Sequence, residues 1–256
     1  MKTAGIDVGF DMIKVAIAAD GKILATASGE AGCIGRESNI SELYNAALAD
    51  AGFKPDEIEE VISTGIGKHS VGFASRRVSD AIALAKAAKY FSGDATSVID
   101  IGADKTLLVT LGDDGITEIV RNQKCMAGLG LILDVMANRL GYTLDEVSGF
   151  QPGADKGLFI NDGCPVFAEL DSLEQLNKGC PKDQVMGAVI NTVAVRLNAI
   201  LRDKVLPAKK TTVLLGGVSR NTAVVNELKA RSGIDFKIPE DAVYGSAIGC
   251  ALLAGG

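Results

Sequence analysis

The sequence predicts an α/β protein made of two similar halves, each a mixed five-stranded sheet flanked by helices. Three observations carry this. One stretch occurs twice: residues 5–21 read GIDVGFDMIKVAIAADG and residues 99–115 read IDIGADKTLLVTLGDDG, so that laying Asp7 on Asp100 also lays Gly9 on Gly102, Asp11 on Asp104 and Asp20 on Asp113. Strand-like and helix-like segments then follow in the order βββαβα in both halves. Glycine turns recur at Gly9, Gly65, Gly102 and Gly216, each after an apolar run. The copies lie roughly 93 residues apart, too far for a solenoid unit of about 20 to 50 residues and suited to a duplicated half-domain.

Each copy reads as a β-hairpin. An apolar run carries an Asp, a Gly two residues later lets the backbone bend, and a second apolar run returns to another Asp/Gly turn. Backbone N–H groups at such a turn can cradle phosphate oxygens, and a carboxylate at the strand end can hold Mg²⁺ through water. Asp-x-Gly ends many strands with no ligand at all; its duplication favours the binding reading. Two facing copies would clamp a nucleotide, so ATP is expected in an interdomain cleft, where turns from both halves converge.

Composition narrows the class. With 256 residues the chain is ample for a buried core, and a net charge of −6 with no basic stretch argues against nucleic acid as the main partner. No apolar run is read as reaching the roughly 18 to 20 residues of a membrane span, and the N-terminus enters a strand without a signal-peptide pattern, so a cytoplasmic protein is expected. Five widely spaced cysteines, Cys33, Cys125, Cys164, Cys180 and Cys250, are an odd number, which disfavours a disulfide framework and leaves metal or redox use open.

Along the chain, a third strand is expected over 22–26, a Gly-rich loop over 27–38, a helix over 41–51 capped by Ser38 or Asn39, a strand over 60–64 and an alanine-rich helix over 79–91. The first half is placed at 1–93. The second, 94–256, adds a strand over 116–122, a helix over 131–140, the short TLDEV helix, a helix after Cys164-Pro165, a long helix over 181–205, a strand over 211–215 and a helix over 222–232. Pro165 at a first helical position makes Cys164 the expected cap. The small-residue helix in YGSAIGCALLAG closes the chain and is expected to return to the first half.

These residues resemble those of the acetate kinase/sugar kinase/Hsp70/actin superfamily: DVG at 7–9 is similar to its first phosphate loop, DIG at 100–102 to its second, and LLGGVSRN at 214–221 to its adenosine loop. The resemblance narrows. Cys125-x-Ala127-Gly128-x-Gly130 followed by LDVMA, and NDGCPVFAELD at 161–171, are similar to the two cluster-binding segments of the BadF/BadG/BcrA/BcrD ATPases, activators of 2-hydroxyacyl-CoA dehydratases and ATPase components of benzoyl-CoA reductases.

What the resemblance implies is a pair of ribonuclease H-like, actin-type half-domains and an ATPase that delivers low-potential electrons. It implies a [4Fe-4S] cluster on a dimer axis, with Cys125 and Cys164 from each chain, and ATP/ADP with Mg²⁺ as the other cofactors. The implied roles are Asp7 and Asp100 for Mg²⁺ or water, with Asp104 as a further polar residue. Gly9, Lys14, Gly65 and Gly102 would meet phosphates, Gly128 and Gly130 the loop beside the cluster, and Gly216, Gly217 and Asn221 the adenosine. Implied partners are a second copy or a homologous ATPase subunit, a CoA-thioester reductase or dehydratase component, and ferredoxin or flavodoxin as donor. Phe10 after DVG, and Ala103 in IDIGAD, depart from the usual loops; the IDIGA stretch resembles the D-type ATPase component of benzoyl-CoA reductase, the first expectation, and a homodimeric dehydratase activator is the alternative. A small-molecule kinase on the same scaffold and a non-hydrolytic partner subunit are the rivals. Lone His69 is expected at the surface, and Cys33, Cys180 and Cys250 receive no role.

Overall fold

The structure is a computed structural model that describes residues 1–32, 35–122, 129–150, 158, 160–161, 164–202, 204–205 and 211–254. Cys33, Cys125 and Gly128 lie outside the described residues. The chain divides into two units, Met1–Val98 with Val109–Glu118 and Pro239–Gly256, and Ile99–Leu108 with Ile119–Ile238.

In the first unit, β1 (Lys2–Val8), β2 (Met12–Ala19), β3 (Lys22–Glu30), β4 (Glu60–Thr64) and β5 (Arg76–Arg77) form one sheet in the order β3-β2-β1-β4-β5. β1 runs antiparallel to β2 and parallel to β4. From Thr3 onward β1 is buried throughout, as a central strand covered on both faces must be, which is why it reads as one apolar run. On one face Ile6, Ile13, Val15 and Ile17 pack with Ile40, Tyr44 and Leu48 of α1 (Arg36–Ala51). The other face is lined by small residues. Ala16 and Ala18 meet Ala247, Ile248 and Ala251 of α8 (Gly245–Leu253), and a Cβ on Gly5 would lie 2.0 Å from the Ala247 carbonyl oxygen. α8 in turn packs on α2 (Asp80–Phe91).

A second sheet holds β6 (Ser97–Ile101), β7 (Thr106–Gly112), β8 (Gly115–Arg121) and β9 (Thr212–Leu215) in the order β8-β7-β6-β9. It repeats the first strand for strand, with β6 standing for β1 and β9 for β4. Five strands are expected here; among the described residues four are present, and Lys237 makes a single parallel bridge to Val213 where β5 would lie. The core of the second unit is helical, from α3 (Leu129–Leu140), α4 (Leu144–Ser148), α5 (Pro165–Asn177), α6 (Lys182–Arg202) and α7 (Thr222–Ser232). Val185, Val189, Val193, Leu197 and Leu201 recur every four residues along α6 and are all buried, the stripe that a core helix requires. α6 is, against expectation, long and apolar enough to cross a membrane by length and composition, with 67% of its apolar window buried inside the protein.

The largest boundary differences from the sequence reading lie at the end of β3 and the start of α1. β3 continues to Glu30 because Glu30 pairs with Met12, and α1 begins at Arg36 with left-handed Gly35 at its N-cap. Ser38, the expected cap, donates instead to the Gly35 carbonyl at 2.6 Å. Ladder pairing decides where a strand stops, and composition alone does not carry it.

Candidate functional site

The first half-site forms at the end of β1. The ladder sets Asp7 opposite Lys14 on β2 and opposite Thr64 on β4, so three polar side chains share one level of the sheet. Lys14 Nζ lies 3.7 Å from Asp7 Oδ2, with both side chains largely buried. After Val8 the chain turns, and the Gly9 N–H donates to the Met12 carbonyl at 3.0 Å, which leaves Phe10 and Asp11 exposed at the tip. A Cβ on Gly9 would come 3.5 Å from Lys14 Nζ. An ammonium thus borders a bare stretch of backbone, a chemistry suited to an anion.

Gly65 closes this half-site from β4. Its φ is +89°, and a Cβ there would lie 2.3 Å from the Val8 carbonyl oxygen and 2.5 Å from Asp7 Oδ1. Only glycine fits. Beyond it, the Gly67 N–H donates to the Val8 carbonyl at 2.9 Å.

The second unit repeats the device. Asp100 is buried near the end of β6, and the Gly102 N–H donates to the Lys105 carbonyl at 2.9 Å, the counterpart of the bond from Gly9 to Met12. Gly216, after β9, has φ +89°, and its Cβ would lie 2.5 Å from the Ile101 carbonyl oxygen and 2.7 Å from Asp100 Oδ1. The repeat legible in the hairpins therefore extends to Gly65 and Gly216, which no fixed sequence offset relates. Lys14 has no like-for-like counterpart, since Leu107 occupies the matching position; Asp104 and Lys105 stand partly exposed in the turn.

This second turn is tied to a helix. The Gly130 and Leu131 N–H groups donate to the Gly102 and Ala103 carbonyls at 3.1 and 3.0 Å. Two of the otherwise unmatched donors of the first turn of α3 are satisfied in this way. A Cβ on Gly130 would stand 2.7 Å from the Gly102 carbonyl oxygen, so glycine here permits backbone to meet backbone.

On the cysteine side, Cys164 is the half-buried N-cap of α5 with Pro165 next to it. Its N–H donates to Asn161 Oδ1 at 3.0 Å, and the Asn161 N–H donates to Asp171 Oδ2 at 2.7 Å. One side chain from within α5 thus anchors the strand of chain that presents the cysteine. A thiolate at a helix N-terminus is favoured by the backbone N–H groups and dipole there. The donor chemistry suits an iron-sulfur ligand; its sequence partner Cys125 lies outside the described residues.

Gly217 is exposed with open space around it. Asn221 is buried and caps α7, its Oδ1 accepting the Val224 N–H at 3.0 Å. His69 is exposed. Glu169 accepts from Arg139 Nε at 2.6 Å, linking α5 to α3. Sequence reading missed Asp80, Asn161 and Asp171. The last two stood inside a quoted motif, where only the fold reveals that they meet; Asp80 looks in sequence like an ordinary first-turn acid.

Cys250 is fully buried, and burial, with Asp7 and Asp80 adding to it, pushes its thiol well above the ordinary range. The thiolate is the reactive form. Folded protein treated with iodoacetamide at about pH 8, below the usual thiol pKa of about 8.5, should leave Cys250 unmodified until urea is added. Rapid labelling without unfolding would contradict its burial.

The model of the BadF/BadG/BcrA/BcrD ATPase family matches residues 4–254. The (R)-2-hydroxyglutaryl-CoA dehydratase activating ATPase of Acidaminococcus fermentans is 32% identical over 256 residues, 98% of this chain and 96% of that protein. The activator of lactoyl-CoA dehydratase of Anaerotignum propionicum is 31% identical over 256 residues, 99% of this chain and 97% of that protein. The D-type component of benzoyl-CoA reductase from Thauera aromatica is 27% identical over 219 residues, 82% of this chain and 76% of that protein. The crystal structure of component A of the Acidaminococcus fermentans dehydratase superposes with a TM-score of 0.86 at 29% identity, covering 99% of this chain and 97% of that one.

Proposed function

Because the chain belongs to the BadF/BadG/BcrA/BcrD ATPase family, we propose that it is an ATP-driven activator that delivers a low-potential electron to a 2-hydroxyacyl-CoA dehydratase. The D-type reductase reading, suggested by Ala103 in the IDIGA stretch, has less support. The Acidaminococcus fermentans and Anaerotignum propionicum activating proteins match more of the chain, and at higher identity, than the benzoyl-CoA reductase component does.

In this reading the halves 1–93 and 94–256 each contribute one turn to MgATP. Asp7 and Asp100 hold Mg²⁺ or orient the attacking water, and Asp104 assists from the second turn. Lys14 and the turns at Gly9 and Gly102 face the phosphates; Gly65 and Gly216 keep the two Asp side chains in place; Gly217 and Asn221 border the adenosine. Cys125 and Cys164 of two copies would hold a [4Fe-4S] cluster, which when bound supplies a one-electron store of low potential. Reduced ferredoxin or flavodoxin would be the donor.

The observation that carries the reading is the pair of hydrogen bonds from Gly130 and Leu131 to the carbonyls of Gly102 and Ala103. They join the second phosphate turn to the helix that follows the Cys125 segment, so a nucleotide that shifts the turn also shifts α3. A small-molecule kinase has no need of that link. Coupling of this kind requires a nucleotide with different contacts in two states.

Anaerobic purification tests the proposal. The protein should be brown, with about four iron per two chains as a four-thiolate cluster demands, and should hydrolyse ATP. Cys164→Ser and Cys125→Ser should each lose the iron, while Cys180→Ser keeps it. Colourless protein that phosphorylates a hydroxyl acceptor would establish the kinase instead.

A further inference from the structure

Gly65 is held from two sides. Toward β1 it abuts Asp7 Oδ1 and the Val8 carbonyl, as described above. On the other side its N–H donates to Asp80 Oδ1 at 3.0 Å, and the same oxygen accepts the Thr64 hydroxyl at 3.1 Å. Asp80 opens α2 after the N-cap Ser79. Further bonds lace this helix entry to β4: the Val78 N–H donates to the Ser63 carbonyl at 2.9 Å, and Thr64 Oγ1 lies 3.2 Å from the Val78 carbonyl. Asp7 and Asp80 are each only 9% exposed, so two buried carboxylates flank one left-handed glycine.

We propose that Asp80 is a positioning residue for the ATPase reaction: by fixing Gly65 and Thr64, it sets where the Asp7 carboxylate stands. The physical reason is the lack of slack. Gly65 is already inside ordinary contact distance of β1 for any added atom, so a displaced turn either presses on Asp7 or opens a gap beside it. A buried carboxylate at a helix N-terminus is a strong and directional acceptor, stabilised by the helix dipole. What the turn needs from it is an oxygen in that place; asparagine supplies the same oxygen without the charge. This separates Asp80 from a proton-transferring or metal-binding acid, for which asparagine would fail.

The inference rests on the ATPase reading above. Its test uses the full chain with MgATP and compares Asp80→Ala with Asp80→Asn. Loss of an outer partner of a catalytic carboxylate commonly costs 10- to 100-fold, so Asp80→Ala should lower kcat by about that much, with KM for ATP within about threefold. Asp80→Asn should recover kcat to within about threefold of the parent. Amide exchange at Gly65, followed by NMR, should quicken by about tenfold in Asp80→Ala and stay slow in Asp80→Asn. An Asn variant as slow in turnover as the Ala variant would overturn the proposal in favour of a catalytic role for the charge. Unchanged kcat in Asp80→Ala would overturn it outright, as would losses of kcat and KM that simply follow the melting temperature. If the parent chain turns over no ATP, the function proposal fails, and the Gly65 exchange rates still decide whether Asp80 holds the turn.

Discussion

Replacing Gly216 by alanine is expected to destabilise the protein by about 3 kcal/mol and to abolish measurable nucleotide binding; Gly65→Ala should do the same from the first unit. Two costs add. At Gly216 φ is 89° and ψ 171°, a region essentially reserved for glycine, where a side chain costs about 1 to 3 kcal/mol. The new Cβ would also stand 2.5 Å from the Ile101 carbonyl oxygen and 2.7 Å from Asp100 Oδ1. Ile101 belongs to a buried central strand, so relief must come from the glycine turn or from Asp100, and overpacking of this kind costs about 1 to 3 kcal/mol. Either movement displaces the carboxylate proposed for Mg²⁺. Urea midpoints and calorimetric titration with MgATP measure the two effects. A Gly216→Ala protein with parental midpoint and affinity would show that the turn tolerates a side chain and that the close approach to Asp100 has no role.

Gly249→Ala is the second large effect, and its sign is the informative part. On an exposed helix surface, alanine in place of glycine stabilises by roughly 1 kcal/mol through helix propensity. In α8, however, the added Cβ would meet the Ala83 carbonyl oxygen at 1.9 Å and its carbon at 2.6 Å. Those atoms are backbone of α2 and cannot rotate away. The two helices would have to part, and the opposite side of α8 offers no room, because a Cβ added at Gly5 on β1 would itself stand only 2.0 Å from the Ala247 carbonyl oxygen. Overpacking of up to about 3 kcal/mol therefore outweighs the propensity gain, and a net loss of about 2 kcal/mol should lower the melting temperature by roughly 4 to 8 °C for a chain of this size. A higher melting temperature in Gly249→Ala would mean that α8 does not pack backbone to backbone on α2.

Much of this was legible in the residues themselves. The doubled Asp-x-Gly hairpin carries its own alternation of apolar runs and turn residues, a local pattern that no distant contact has to create, and it located Asp7, Gly9, Asp100 and Gly102. Pro165 marked Cys164 as a helix cap for an equally local reason: proline fits the first helical position, where its missing N–H costs nothing. The match of Gly65 to Gly216 was of another kind. Their equivalence depends on β4 lying beside β1 and β9 beside β6, and strand pairing across such sequence distances leaves no periodic trace. The end of β3 shows the same limit at short range, since the pairing of Glu30 with Met12 carried the strand into residues that composition assigned to a loop.

By itself, then, the sequence determined most of the elements, the duplication and the residue types at both turns, because each follows from backbone preferences acting over a few neighbouring positions. Tertiary structure alone decided which distant groups touch: Asp80 on the Gly65 amide, Asp171 on the Asn161 loop, Gly130 on the Gly102 carbonyl. Those contacts arise where one element folds back on another across 10 or more residues of chain, beyond the reach of the backbone preferences of neighbouring positions.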